Sequence, residues 1–134
     1  MSTAKSNWRT DPSYVYFIGA GELHVAIKIG VSAQKSMRDR LGTIQGGNHE
    51  PLYLLGVIPF NEGERAGLDA YDKEKELHGR FSKLQRFKPT YAGSEWFTVS
   101  PELTEFIERE TTKPQTLGLE VTAATPGPGR SKKS

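Results

Sequence analysis

Apolar and polar positions change period along this chain, and each change marks an element. Tyr14-Val15-Tyr16-Phe17-Ile18 is dense in β-branched and aromatic residues and reads as a strand. Residues 19–22 supply a turn, and Val25 to Val31 make a second strand, so the pair predicts a hairpin. Ser32 is placed to cap a helix over about 33–45, in which Met37, Leu41 and Ile44 recur at i, i+4 and i+7. Gly46-Gly47 ends that helix. A third strand runs from Leu52 to Ile58, and its near-continuous apolar run predicts a buried or central position. A long helix is expected over about 62–84, with Ala66, Ala70, Leu77, Phe81 and Leu84 on one stripe. Residues 85–94 form a basic loop and 95–99 a short strand. A last helix then starts at Ser100 or Pro101 and turns Leu103, Phe106 and Ile107 inward.

The same pattern divides the chain. Residues 1–12 are polar and predict a flexible leader. Residues 13–110 make one domain. Residues 111–134, rich in Thr, Pro, Gly and Lys, predict a disordered basic tail. The absence of cysteine excludes disulfides, thiolate metal sites and cysteine nucleophiles, and it suits a reducing compartment. With no signal-peptide pattern and no run of ~20 apolar residues, the expectation is a soluble cytoplasmic protein without membrane contact.

Charge changes the picture through its distribution. The net +2 divides into a +3 tail beyond residue 112 and a −1 body. Within the body, Lys28, Lys35, Arg38 and Arg40 form one basic group. Lys73, Lys75, Arg80, Lys83, Arg86 and Lys88 form a second, while Glu102, Glu105, Glu108 and Glu110 collect elsewhere. The separation fits a phosphate-facing side and a far side, and equally ordinary solvated helix faces.

Strand alternation then assembles candidate chemistry. Val15, Phe17, Ile27, Ile29 and Val31 share a purely apolar face of the hairpin. Tyr14, Tyr16, Ile18, Ala26, Lys28 and Gly30 share the other, which gathers two phenols, an ammonium and a glycine. That face is either a half-solvated surface or the floor of a site. Arg40 flanks the Met37–Ile44 stripe, so its stem can lie on the packed face while its planar guanidinium reaches a phosphate or a surface carboxylate. Glu74 lies at the edge of the long helix's stripe, where a carboxylate needs a partner: either a divalent cation or a neighbouring Lys73, Lys75 or Arg40. His78 stands one turn later. Two ligands at i, i+4 are weak evidence for zinc, so a structural, hydrogen-bonded histidine is expected.

These residues, in this order, resemble the GIY-YIG nuclease superfamily. Tyr14-Val15-Tyr16-Phe17-Ile18 resembles the GIY motif, with Tyr16 as the motif tyrosine, and Lys28-Ile29-Gly30 resembles YIG with lysine for tyrosine. Arg40-Leu41 with Ile44-Gln45, Asn48 and Pro51-Leu52 resembles the arginine helix and the strand after it. Glu74, Leu77-His78 and Phe81 match the glutamate helix, and Glu95-Trp96-Phe97 a closing motif. The set, over about residues 14–108, is similar to the phage-derived DNA-binding branch named for an open reading frame of phage T five.

The resemblance implies an α+β fold, a small three-stranded antiparallel sheet flanked by helices. It implies DNA as partner and hydrolysis assisted by one Mg2+ or Mn2+ ion. Tyr16 would assist proton transfer, Arg40 would stabilise phosphate charge and Glu74 would hold the metal. Lys28 departs from the pattern and is expected as a phosphate clamp, or as a base if its pKa falls by several units. The family's terminal asparagine has no counterpart near Trp96 and Phe97. Lys35, Arg38, Arg80, Lys83 and Arg86 are the expected DNA-backbone contacts. Three functions follow: a metal-dependent endonuclease, a DNA-binding module without cleavage, or a structural interaction domain.

Overall fold

Every residue of β1 (Ser13–Ala20) is buried, which only a central strand covered on both faces achieves. The computed structural model describes residues 8–22, 26–47, 50–61, 63–85 and 96–119. After β1 come β2 (Ala26–Ala33), α1 (Met37–Gly46), β3 (Leu52–Phe60), α2 (Ala66–Arg80), β4 (Trp96–Thr98) and α3 (Pro101–Glu110). The strands form one antiparallel sheet in the order β3-β1-β2-β4. The expected α+β class with an antiparallel sheet is present, but the sheet has four strands, not three. The fourth is the three-residue β4, which pairs with Ala26, Ile27 and Lys28 at the start of β2.

The alternation along β1 and β2 builds two cores. Val15, Phe17, Ile27 and Ile29 pack against Ala70 and Leu77 of α2, Phe81 just beyond it, and Leu103, Phe106 and Ile107 of α3. Tyr14, Tyr16 and Ile18 pack on the opposite face against Met37 and Leu41 of α1, and Leu119 joins them there. The sheet is thus sandwiched, with α1 on one side and α2 and α3 on the other. The phenol-bearing face is buried, not half-solvated.

Several local expectations change. The apolar β3 lies at the sheet edge, not at its centre. A bulge where Phe17 faces Gly56 and Ile18 faces Leu54 leaves Leu55 over. That slip lets Leu52, Leu54 and Val57 serve one core while Leu55 and Ile58 lean on the other, so the run looks apolar throughout. Ser32 is no helix cap. It is buried in β2, its hydroxyl donating to the Ala33 carbonyl at 2.9 Å, and α1 begins only after a 3-10 turn at Gln34–Ser36. The long helix shortens to α2 and a 3-10 turn at Ser82–Leu84. α3 starts as expected: Ser100 Oγ accepts the Leu103 N–H at 3.3 Å, and Pro101 fills the first turn, where its missing N–H costs nothing.

Leader and tail are both partly fixed to the domain. The Arg9 carbonyl accepts the Leu68 N–H at 3.1 Å, satisfying one of the orphan donors at the start of α2. Thr112 exchanges two backbone hydrogen bonds with Val57 on the outer edge of β3, at 2.7 and 3.1 Å. The chain then crosses to α1, where Arg38 donates to the Gly118 carbonyl and Leu119 is buried beside Tyr14 and Tyr16. The packed body therefore runs at least to Leu119. Val25, Asn48, Arg86, Glu95 and the rest of the tail lie outside the described residues. Among the described residues no helix is long and apolar enough to cross a membrane.

Candidate functional site

Tyr16 stands directly opposite Gly30 in the β1–β2 ladder. A tyrosine side chain is longer than the ~4.8 Å spacing between strands, so the phenol crosses β2 at that glycine. A Cβ on Gly30 would lie 2.5 Å from Tyr16 Cζ and 2.9 Å from Cε1, and closer still to the hydroxyl. Glycine is required here for space. It lets a ring only 2% exposed lie across β2 with its hydroxyl over Gly30.

That side of β2 is a partly open edge. Among the described residues β4 pairs only with residues 26–28, so on this side the second half of β2 has no strand neighbour among them. The Ile29 carbonyl at this edge accepts a hydrogen bond from His78 Nε2, 2.9 Å away. Because the carbonyl can only accept, Nε2 carries the proton. His78 also lies edge-on to Phe97. The expected structural histidine is what the geometry gives, and it ties α2 to the β2 edge.

Tyr71, Glu74 and His78 occupy successive turns of α2 along this edge. From Tyr71 to His78 the helix rises about 10 Å, close to the ~13 Å that β2 covers from Ile29 to Ala33. The two ends match: His78 meets Ile29, while Tyr71 lines a cavity of about 160 Å³ with Val31, Ser32 and Ala33. Glu74 stands between them on α2. Its side chain is 12% exposed, and its Oε2 is 3.9 Å from His78 Nε2. Of its suggested partners, Lys73 pairs with Glu76 at 3.1 Å and Lys75 lies over the Tyr71 ring.

Arg40 reaches the same edge from the opposite layer. It is exposed on α1 and lines the cavity that Tyr71 borders. Among the described residues it forms no ion pair, with Asp39 and Glu50 included. Lys28 shares the Tyr16 face as expected, but it is buried, with its ammonium 5.8 Å from the Trp96 ring centre. It reads as part of the packing between β2 and β4.

The remaining basic residues do not form one stripe. Lys35 pairs with Asp11 at 3.5 Å, and Arg38 holds Gly118. Arg80 lies over Phe106 of α3, on the other side of the sheet from α1, and exposed Lys83 follows in the next turn. Arg86 is outside the described residues.

A sequence model for the T5orf172 domain matches residues 13–110, most of the chain. The chain belongs to the T5orf172 domain family. No curated protein and no solved structure matches it. In this T5orf172 domain, then, the family segment holds the whole sheet and every residue of the β2-edge constellation: Tyr16, Gly30, Arg40, Glu74 and His78. The segments that pack outside it are the turn at residues 8–10 and the strap at 111–119.

The donor set at the edge also limits which metal suits it. Among the described residues no three His, Asp or Glu side chains gather into a cage. A single carboxylate fits Mg2+ or Mn2+, which keep several waters and complete their shell with substrate phosphate. It does not fit a closed zinc site, which needs four protein ligands.

Proposed function

We propose that this T5orf172 domain is a GIY-YIG-type nuclease that lays a DNA phosphodiester along the open edge of β2 and hydrolyses it with one Mg2+ or Mn2+ ion. The observation that carries the reading is convergence. Tyr16 lies over Gly30 of β2, Glu74 stands one turn from the His78 that binds the Ile29 carbonyl, and Arg40 lines a cavity with Val31, Ser32 and Ala33, which supports a site along this strand. Glu74 is the residue suited to hold the ion, which when bound would offset phosphate charge and favour ionisation of a bound water. Arg40 offers a planar fork of donors to a phosphate oxygen. Tyr16 would orient the attacking water through its hydroxyl and relay its proton. His78, fixed to the Ile29 carbonyl, ties α2 to the β2 edge one turn after Glu74. The test is nicking of supercoiled plasmid with Mg2+ or Mn2+, with a chelator control. Divalent-dependent conversion to open circles supports hydrolysis.

One observation favours a second reading, a DNA-binding module without cleavage. Lys28 replaces the tyrosine that the resemblance calls for, and it is buried against Trp96. Tight, salt-sensitive DNA binding without nicking by either ion would support that reading. No DNA binding at moderate salt would leave a protein-interaction domain.

A further inference from the structure

The turn before β1 presents a surface that neither hydrolysis nor folding accounts for. Trp8 is 46% exposed and Tyr71 40%, and their rings meet edge to face at 5.7 Å. Exposed apolar side chains in contact form a patch, which is the informative case, whereas scattered ones are ordinary. Cations flank it: the Arg9 guanidinium lies 4.9 Å from the Trp8 ring centre and Lys75 Nζ 5.3 Å from that of Tyr71.

The placement of Trp8 is built, not incidental. The Arg9 carbonyl caps the first turn of α2 through Leu68. The Trp8 carbonyl presses on Gly67 so closely that any Cβ there would collide with it. Two backbone contacts thus fix the turn, yet they leave the largest ring of the segment facing solvent. Trp8 and Tyr71 also border the cavity that Arg40 lines.

We propose that Trp8 and Tyr71 form a stacking platform for an unpaired nucleobase beside the β2-edge groove, so that the preferred substrate is DNA with a single-stranded segment next to a duplex. The inference rests on the proposed DNA reading and deepens it. A nucleotide has a π-face and a phosphate, and this patch offers both complements: open ring surface for the base, and Arg9, Lys75 and Arg40 for the backbone. Base-paired duplex hides its π-faces and gains nothing from the rings. The attraction holding Lys75 over Tyr71 is weak at an exposed site, so an incoming base displaces it toward its own phosphates.

The test compares a blunt duplex with the same duplex carrying a short thymidine overhang, by fluorescence anisotropy at fixed moderate salt without metal. Intrinsic tryptophan emission is read in parallel. The wild type is expected to bind the overhang substrate at least about 5-fold tighter, the lower end for one stacked base, with quenched tryptophan emission. Trp8→Leu keeps an apolar cover but removes the π-face. It should lose the preference and the quench while holding blunt duplex as before. Trp8→Tyr should restore the preference, which a merely structural role for Trp8 does not require. Equal affinity of the wild type for both substrates, or a preference that survives Trp8→Leu, overturns the platform while the groove reading stands on its blunt-duplex binding. Failure to bind either substrate overturns both.

Discussion

Gly30→Ala places one methyl group where the account is most exposed to refutation. Alanine at a strand glycine that tolerates it should stabilise by about 0.4–1 kcal/mol, because the unfolded chain loses freedom. Here the methyl meets Cζ of Tyr16 at 2.5 Å and Cε1 at 2.9 Å. The ring is 2% exposed and packed in a core with Met37, Leu41 and Leu119, so it has no solvent to swing into. Overpacking of this kind costs about 1–3 kcal/mol. For a domain of about 100 residues that lowers the melting temperature by roughly 5–20 °C. Thermal unfolding followed by circular dichroism measures it. The sign should reverse in a Tyr16→Leu background, where the ring tip is gone and the methyl is accommodated, so the two changes are coupled and not additive. The reasoning is refuted if Gly30→Ala melts with the wild type, or if it costs the same in both backgrounds.

Arg40→Ala should weaken duplex binding and flatten the dependence of log K on log salt by about 0.9, the slope of one phosphate contact; an unchanged slope would remove Arg40 from the interface. Deleting residues 120–134 should leave the melting temperature nearly unchanged. Deleting 111–134 should lower it clearly, because that removes the Thr112–Val57 bonds and the buried Leu119, whose truncation to alanine alone is worth about 2–4 kcal/mol. His78→Phe should cost about 1–3 kcal/mol by leaving the Ile29 carbonyl without its donor, and it should slow cleavage more than it weakens binding; equal stability would show that the hydrogen bond carries no weight.

Much of the fold was legible because alternation is a strong constraint in strands covered on both faces. Val15, Phe17, Ile27 and Ile29 fell on one core by parity alone, and Tyr16, Lys28 and Gly30 on the other. The order of the strands was less legible. The bulge at Leu55 hides a change of face that turns an alternating edge strand into an apolar run. The strap could not be read because its anchors are scattered and follow no period: the Thr112 bridge, buried Pro114, the Gly118 carbonyl held by Arg38, and Leu119, in a segment rich in Thr, Gly and Pro. At the site, residue types and helix stripes marked Arg40, Glu74 and His78, but not which edge they share. That depends on β4 pairing, among the described residues, only with residues 26–28 of β2. Parity put Lys28 on the Tyr16 face, but its burial beside Trp96 shows only once β4 is paired to β2. Trp8 gave no signal, since a lone tryptophan in a polar leader shows its partner Tyr71 only after α2 is in place.

On the proposed function, the β2 edge handles a phosphodiester with a cation held by Glu74. Glu74→Ala, compared with the wild type for plasmid nicking in Mg2+ or Mn2+ and for duplex affinity without metal, tests it most directly. A carboxylate facing a phosphate path helps only while it holds a cation, and without one it repels. The account therefore predicts that the variant loses divalent-dependent nicking and binds DNA as well as the wild type or slightly better. If Glu74→Ala nicks as fast as the wild type, the metal does not sit at Glu74 and the claim fails.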